Sequence, residues 1–324
     1  MIKTLIRRLI ILIPQLIVVS LIIFLLAEFM PGDALSGLFR DDPNMTQEMM
    51  DEIRRAHGMY GPWYVRYVRW IGNMVQGNFG RSFSHNRPVI DIIGERMGNT
   101  VFLSTVSVII VYAFAMPLGI IAGKHYGKLP EKIISFYNFL QIAFPTVVFA
   151  IVLQWIFAIT LGVFPLRGSI DVTVVSGGNF WAMTWSRIQH VILPALSMSL
   201  LAGVGIIQFL SNEINDQKER DYVTTARSKG VPIRDVYNRH ILRNSLLPIA
   251  MNFGGVVVGL FGGAVIIERI FTFNGMGNLF VTAIGVQDWP VVNFLVMFYG
   301  SLTIVGFLIS DIALTVFDPR IRIK

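Results

Sequence analysis

The sequence predicts an all-α polytopic membrane protein with six transmembrane helices. Hydrophobic residues make up 54% of the 324 positions and charged residues only 15%, whereas soluble domains carry about 25% charged residues. Several uninterrupted apolar runs approach the length of about 20 residues that a helix needs to cross the hydrocarbon layer. A soluble core does not require such runs, so the chain is expected to be integral to a membrane.

The apolar runs divide the chain into six spans. The first follows Lys3, Arg7 and Arg8, as in a secretory signal peptide, but it is longer than the apolar region of a signal peptide and lacks a following small-x-small cleavage site. It is therefore expected to remain as a span, and an even number of spans places both termini on one side. The six predicted spans are 9–29, 100–123, 134–161, 190–211, 246–268 and 291–316.

The distribution of basic residues predicts the orientation of these spans. Of the 27 Lys and Arg residues, 16 lie in the two termini and in the loops that follow the second and fourth spans. Cytoplasmic loops carry such an excess of basic residues. Both termini and the loop 212–245 are therefore predicted to be cytoplasmic, and the segment 30–99 extracytoplasmic. This orientation accounts for the net charge of +7, so no nucleic-acid partner is predicted.

The sequence contains no pattern that predicts catalysis, ATP binding or metal binding. It has no cysteine, and its five histidines show no paired ligand spacing, which removes thiol chemistry and the common metal motifs. No Gly-x-x-x-x-Gly-Lys-Ser/Thr sequence is present, so no phosphate-binding loop is predicted. We expect no catalytic residue, metal or cofactor in this chain.

A short aromatic helix is predicted within the extracytoplasmic segment. Pro62 suits the first turn of a helix, and Trp63, Tyr67, Trp70 and Met74 then recur on one face. Such a face fits an interfacial helix with its aromatic rings among the lipid headgroups. The alternative is a shelf on which an extracytoplasmic partner docks, and we favour the interfacial helix.

The loop 212–245 is a long hydrophilic stretch between apolar runs, and it contains residues that typically begin or end helices. Asp221 is predicted to cap a helix that continues to Lys229, and Gly230 to end that helix in a left-handed conformation. Pro232 is predicted to occupy the first position of a second helix that reaches Arg243. Two helices that meet at this corner could form a rigid knob that transmits movement from a bound partner. They could equally form a solvated connector between two spans.

Small and polar residues within the spans suggest packing and cavity roles. Gly255, Gly259 and Gly263 share one helix face at four-residue spacing, and Gly119 and Gly123 repeat the arrangement. In lipid such residues let helices approach closely, so all five are predicted to pack against other helices, including those of another subunit. A polar residue inside a span calls for a functional hypothesis, and Asn252 is therefore a candidate to line a translocation cavity.

The loop also resembles the cytoplasmic signature loop of bacterial ABC transporter permeases. Thr224-Thr225-Ala226 occupies the positions of that family's Glu-Ala-Ala, and Gly230 occupies the position of its glycine. Residues 221–230 and 240–248 are similar to the peptide and nickel subfamily in particular. Asn274 departs from the family pattern, which has proline there. Further matching motifs are Pro31-Gly32-Asp33, the segments 77–82 and 87–89, Gly275-Met276-Gly277, Asp288-Trp289-Pro290 and the segment 318–322.

This resemblance implies a type I ABC importer permease fold with defined parts. Residues 1–96 would form the first transmembrane helix and the extracytoplasmic segment, 97–317 a five-helix permease core, and 318–324 a cytoplasmic tail. The loop 212–245 would couple the core to an ATPase. The residues implied in coupling are Asp221, Tyr222, Thr225, Ala226, Arg227, Lys229, Gly230, Val231, Pro232 and Arg234.

The resemblance also implies partners and a class of cargo. A second homologous permease, two cytoplasmic ATPases that hold ATP and magnesium, and an extracytoplasmic substrate-binding protein would surround the chain in a bacterial cell membrane. Oligopeptides are the expected cargo, with dipeptides, nickel chelates, glutathione and oligosaccharides as alternatives. A secondary transporter working alone is the competing class, although it leaves the long charged loop without a purpose.

Overall fold

The computed structural model describes residues 2–29 and 61–317, and this part of the chain is built from helices. The described residues contain no β-strand, and an isolated antiparallel bridge joins Arg81 to Pro88. In chain order the helices are α1 Ile2–Phe29, α2 Trp63–Val75, α3 Val89–Lys124, α4 Leu129–Ala143, α5 Thr146–Leu153 with a π-helix Gln154–Thr160, α6 Val172–Ser176, α7 Phe180–Ala202, α8 Val204–Lys218, α9 Asp221–Ser228, α10 Ile233–Asp235 with a π-helix Val236–Leu242, α11 Arg243–Ser245, α12 Leu247–Ile270, α13 Met276–Gly285 and α14 Trp289–Phe317.

The helices confirm the membrane character of the fold and correct one predicted span. Three described helices are long and apolar enough to cross a membrane, in α3, α12 and α14, and two bent helix pairs raise the number to five. The predicted single span 134–161 is wrong as a continuous helix, because α4 and α5 meet at an angle of 100°. Phe144 is extended there (φ −91°, ψ 120°), as the residue before a proline tends to be. The count of six spans stays a prediction.

One compact unit consists of Thr100–Asn274 together with residues 305–317. Its core is apolar and includes Leu103, Leu193, Ile207 and Ile267, none of which is more than 1% exposed. The pair α7 and α8 bends by 40° at Gly203, which lies between the two helices. This unit contains the whole loop 212–245.

The other compact unit consists, among the described residues, of 2–29, 61–99 and 275–304. Here α2 packs on α1, because the hydroxyl groups of Tyr67 and Ser20 lie 2.8 Å apart and the ring of Phe24 contacts Tyr67 and Trp70. The predicted helix after Pro62 is therefore confirmed. Part of its aromatic face packs on the first helix, an arrangement that neither interpretation of this face includes.

A buried carboxylate organises this second unit. Asp288 is only 1% exposed and accepts hydrogen bonds from the hydroxyl groups of Ser82 (2.5 Å) and Ser84 (2.6 Å). It also accepts the backbone N–H groups of Phe83 and Ser84, each at 3.1 Å. Two of the sequence motifs quoted above, which lie about 200 residues apart, thus meet at one side chain.

Candidate functional site

The first helix of the 212–245 loop begins one residue earlier than its sequence suggests. Arg220 occupies the N-cap with extended backbone angles, and its side chain makes no capping hydrogen bond. Asp221 is the first residue of α9 rather than its cap, so the predicted capping role of Asp221 is wrong. Its carboxylate still lies in the first turn, where the helix dipole favours negative charge.

The end of α9 has the predicted left-handed geometry. Gly230 has φ +75°, and its N–H donates to the carbonyl of Arg227 at 2.9 Å. The N–H of Val231 donates to the carbonyl of Ala226 at 3.2 Å. These two bonds define a Schellman motif, which satisfies the last carbonyls of a helix and fixes the direction in which the chain leaves it.

The second helix of the loop departs from the simple α-helix that the sequence predicts. Pro232 occupies the N-cap of α10, one position before the predicted one. After three residues the chain continues as the π-helix Val236–Leu242 and then as α11. No propensity pattern announces a π-helix, and such segments often occur at functional sites.

The two helices around Gly230 form a knob, defined here as residues 221–235, with one anchored face and one free face. Val223 and Ala226 are buried in the core of the unit. Tyr222 and Val231 are half-buried, and the hydroxyl of Tyr222 donates to the side-chain oxygen of Gln217. The exposed members of the predicted coupling set are Asp221, Thr225, Arg227, Lys229, Gly230, Pro232 and Arg234.

Ile233 belongs to the free face of the knob and was missed by the sequence reasoning. Its side chain is 77% exposed, between Pro232 and Arg234. An apolar side chain that projects among cations is a usual anchor for a docked partner, because interface centres are apolar and their rims polar. Its position directly after the Gly-x-Pro corner could have indicated from sequence that this apolar side chain belongs to the exposed face.

The segments that flank the knob contact the end of α3. The ammonium group of Lys218 donates to the carbonyl of Gly123 at 2.5 Å, one of the carbonyls that a helix end leaves without a partner. Burial lowers the pKa of Lys218, and the neighbouring Lys128 lowers it further. The ammonium group of Lys124 lies 5.7 Å from the centre of the Tyr237 ring, within the range of a cation–π contact.

Close packing reinforces this attachment. A Cβ placed on Gly119 would lie 3.0 Å from the Cβ of Leu210, and one placed on Gly123 would lie 2.8 Å from the Cβ of Ile214. Leu210 and Ile214 are fully buried members of α8. The two helices therefore approach so closely that only glycine fits on α3 at these positions.

The glycines of α12 have different surroundings from those of α3. A Cβ on Gly255 would meet the side-chain oxygen of Asn252 at 3.1 Å, while Gly259 has open space around it. The surroundings of Gly263 lie outside the described residues. A close approach of α12 to another helix was missed by the sequence reasoning. It lies at Gly254, whose N–H donates to the hydroxyl of Ser310 at 3.0 Å.

Two cavities border α12 within the same unit. The first has a volume of about 290 Å³ and the second about 340 Å³. Asn252, the predicted cavity residue, lines the first, and Gly259 lines the second. The first is lined by Tyr112, Gly205, Ile206, Phe209, Ile249, Asn252 and Val256.

Among the described residues, no group of three or more His, Asp or Glu side chains is arranged to hold a metal ion. Three of the described histidines lie within hydrogen-bonding distance of atoms at most four residues away. His190, for example, lies with its Nδ1 atom 2.7 Å from the carbonyl of Ser186, one turn earlier in α7.

The chain matches two family models that together cover most of its length. Residues 115–323 match the model described as the binding-protein-dependent transport system inner membrane component. Residues 1–104 match the model of the N-terminal part of such membrane components. The larger match alone extends over more than half of the 324 residues.

Individual relatives are similar over essentially their whole length. The oligopeptide transport system permease protein AppB of Bacillus subtilis is 34% identical over 319 residues, 98% of each chain. The dipeptide transport system permease protein DppB of Lactococcus lactis is 29% identical over 324 residues, and the glutathione transport system permease protein GsiC of Escherichia coli K12 is 30% identical over 324 residues. Both of these alignments cover 100% of each chain.

Proposed function

The chain belongs to the family of binding-protein-dependent transport system inner membrane components, and on that premise we propose that it forms half of the translocation pathway of a peptide importer. Members of this family are multi-pass transport subunits of ABC importers with the type I permease fold. They work with ATP-binding and substrate-binding proteins and are not themselves enzymes. The peptide cargo is supported by three relatives whose names specify oligopeptides, dipeptides and glutathione.

The knob 221–235 is the surface that would dock on an ATPase subunit. The observation that carries this proposal is its two-faced construction: Val223 and Ala226 are buried in the core, while Arg227, Lys229 and Ile233 project outward. The Schellman motif at Gly230 holds the corner in one conformation. A surface that is both exposed and rigidly anchored can transmit a displacement of a docked partner to the core of the unit without deforming.

The proposed assembly has five subunits. A second, homologous permease would complete the pathway, two cytoplasmic ATPases would hold ATP and magnesium, and an extracytoplasmic binding protein would deliver the peptide. Gly259, which borders the second cavity and has open space around it, is our candidate on α12 for contact with the second permease. We place the permease core at 97–317, with both termini and the loop 212–245 cytoplasmic, in the inner or sole membrane of a bacterial cell.

ATP-driven uptake by the reconstituted complex tests this function. The two permeases, the ATPases and the binding protein are placed in liposomes, and uptake of a labelled oligopeptide is followed with ATP or with a non-hydrolysable analogue. We expect uptake only with ATP and only with the binding protein present. Dipeptides, glutathione, nickel chelates and oligosaccharides are added as competitors to establish the preferred cargo.

A matched pair of variants links the function to the knob. Arg227→Glu reverses a charge on the free face, and Lys132→Glu reverses a charge on α4, outside the knob. We expect only the first to lower co-purification of the ATPases. Peptide movement by this chain without any ATPase would instead establish a secondary transporter working alone, and the importer proposal would be wrong.

A further inference from the structure

The first cavity has an apolar wall interrupted by two neutral polar side chains, those of Tyr112 and Asn252. Its other lining residues are apolar, and the ring of Phe209 forms one side. None of its lining residues carries a charge. A cavity of this kind suits a ligand group that is uncharged but needs hydrogen bonds, because a few placed polar groups on an apolar wall fix the orientation of a ligand.

The hydroxyl group of Tyr112 lacks a partner in the described part of the chain. It is buried and makes no hydrogen bond with any described residue, although most buried polar atoms have at least one partner. The ring of Tyr112 contacts that of Phe253 on α12, with 5.5 Å between the ring centres, and this contact fixes its orientation. The hydroxyl is thus a donor and acceptor that no described residue satisfies, at the wall of the first cavity.

The side chain of Asn252 is held at the cavity by the absence of a side chain at Gly255. Its oxygen lies 3.1 Å from the point where a Cβ on Gly255 would stand. A larger residue at position 255 would therefore displace the Asn252 amide. Within the glycine pattern of α12, Gly255 therefore makes room for the amide group of Asn252 on the same helix.

We infer that Tyr112 and Asn252 form a subsite that binds a main-chain amide of the transported peptide. A peptide unit presents one N–H donor and one carbonyl acceptor, and both a phenol and a carboxamide can donate and accept. The absence of charge on the wall means that the subsite selects neither the termini nor charged side chains of the cargo. It would therefore accept peptides of differing sequence, and this inference rests on the peptide cargo proposed above.

The inference is tested on the unmodified complex with a pair of peptides. A tripeptide is compared with its analogue in which an ester replaces the central amide, both at saturating occupancy of the binding protein. The ester removes the N–H donor and weakens the carbonyl acceptor. We expect the amide to enter about 3- to 10-fold faster, the range that one neutral hydrogen bond supports.

Variants of the subsite complete the test. Tyr112→Phe and Asn252→Leu are expected to lower amide uptake by a similar factor and to bring the amide-to-ester ratio close to one. Stimulation of ATP hydrolysis by the loaded binding protein should persist in both, because neither residue belongs to the knob. Tyr64→Phe removes a tyrosine hydroxyl from the exposed helix α2 and should leave both measurements unchanged.

The outcomes separate this inference from the proposed function. The subsite would be overturned if the unmodified complex took up the amide and the ester at equal rates and both variants took up the amide at the unmodified rate. That result would leave the proposed importer function in place. Absence of ATP-driven uptake of either peptide by the unmodified complex would overturn the proposed function and the subsite with it. Because the peptide pair needs no variant, a substitution that prevents assembly does not weaken the test.

Discussion

Substitution of Gly230 is expected to uncouple ATP hydrolysis from peptide delivery in proportion to the bulk of the new side chain. Gly230 has φ +75°, and a left-handed conformation costs an ordinary residue about 1–2 kcal/mol. A Cβ at this position would meet no atom of the chain within 4 Å. Within this subunit the penalty is therefore backbone strain alone, which lowers the preference for the native corner by roughly 5- to 30-fold.

Alanine, asparagine and glutamate at position 230 separate strain from docking. Asparagine tolerates the left-handed region better than alanine does, so a purely conformational role predicts that Gly230→Asn performs better than Gly230→Ala. Docking on an ATPase predicts the opposite, because the open space around Gly230 directs any side chain into the partner. We expect activity to fall in the order Ala, Asn, Glu, with Glu abolishing the response.

The assay is hydrolysis of ATP by the reconstituted complex, with and without loaded binding protein, after assembly has been verified by co-purification. Thermal unfolding of each variant measures the strain separately, and we expect a small loss of stability in each, with the smallest loss for Gly230→Asn. Should Asn exceed Ala, and Glu equal Ala, the corner acts only through its backbone. Wild-type coupling in all three variants would refute the assignment of the knob as the coupling surface.

Three further predictions concern the packing and capping of the fold. Asp288→Ala should lower the free energy of unfolding by about 3 kcal/mol or more, because it leaves several donors without their charged acceptor, and Asp288→Asn by less. Both are measured by thermal unfolding, and equal losses would contradict a role for the oxygen acceptors. Gly123→Ala should cost about 1–3 kcal/mol by overpacking α8, whereas the control Gly98→Ala, which meets open space on the same helix, should be neutral or stabilising. Asp171 caps α6, and hydrogen bonds from Thr173 lower its pKa. This contribution to stability is therefore present above the unfolded-state pKa and lost as the pH falls through the depressed folded-state value. The protection of the α6 amides, measured relative to their intrinsic exchange rate at each pH, should then fall in acid, but not in Asp171→Asn, and identical profiles would contradict the cap.

The sequence predicted those parts of the fold that depend on local composition. Apolar runs located the helices, and Gly230 ended α9 in the left-handed conformation that only its side-chain-free backbone adopts cheaply. The errors at Asp221 and Pro232 are shifts of a single residue, which is the usual uncertainty of a helix boundary. The break in the predicted span 134–161 had a local signal as well, since Pro145 restricts the residue before it.

Features that depend on partners distant in sequence were not predictable from one chain. Asp288 and Ser82 are 206 residues apart, and nothing in either motif specifies the other. The contact of Gly254 with Ser310 is equally hidden, because the glycine pattern indicates a close approach without naming the helix that approaches. The π-helix 236–242 was equally unpredicted, because π-helices are rare and the sequence reasoning treated this stretch as an ordinary α-helix.

A close-packed connection leads from the knob towards the cavity through α3, and Pro117 lies within that helix between Tyr112 and Gly119. Lys218 binds the end of this helix, and Gly119 and Gly123 bring the backbone of α3 directly against the buried side chains of Leu210 and Ile214 on α8. Tyr112 lies 12 residues before Lys124 on the same helix, which is about 18 Å at 1.5 Å per residue.

A displacement of the knob that moves α8 must therefore also move the loop end of α3, since the close-packed surface between them is not compressible. The cavity wall at Tyr112 would shift with it, which is the change in access that an alternating transporter requires. Gly123→Ala tests this step directly. If the added methyl group separates the helices, hydrolysis should continue while peptide uptake falls, whereas an equal loss of both would place the coupling elsewhere.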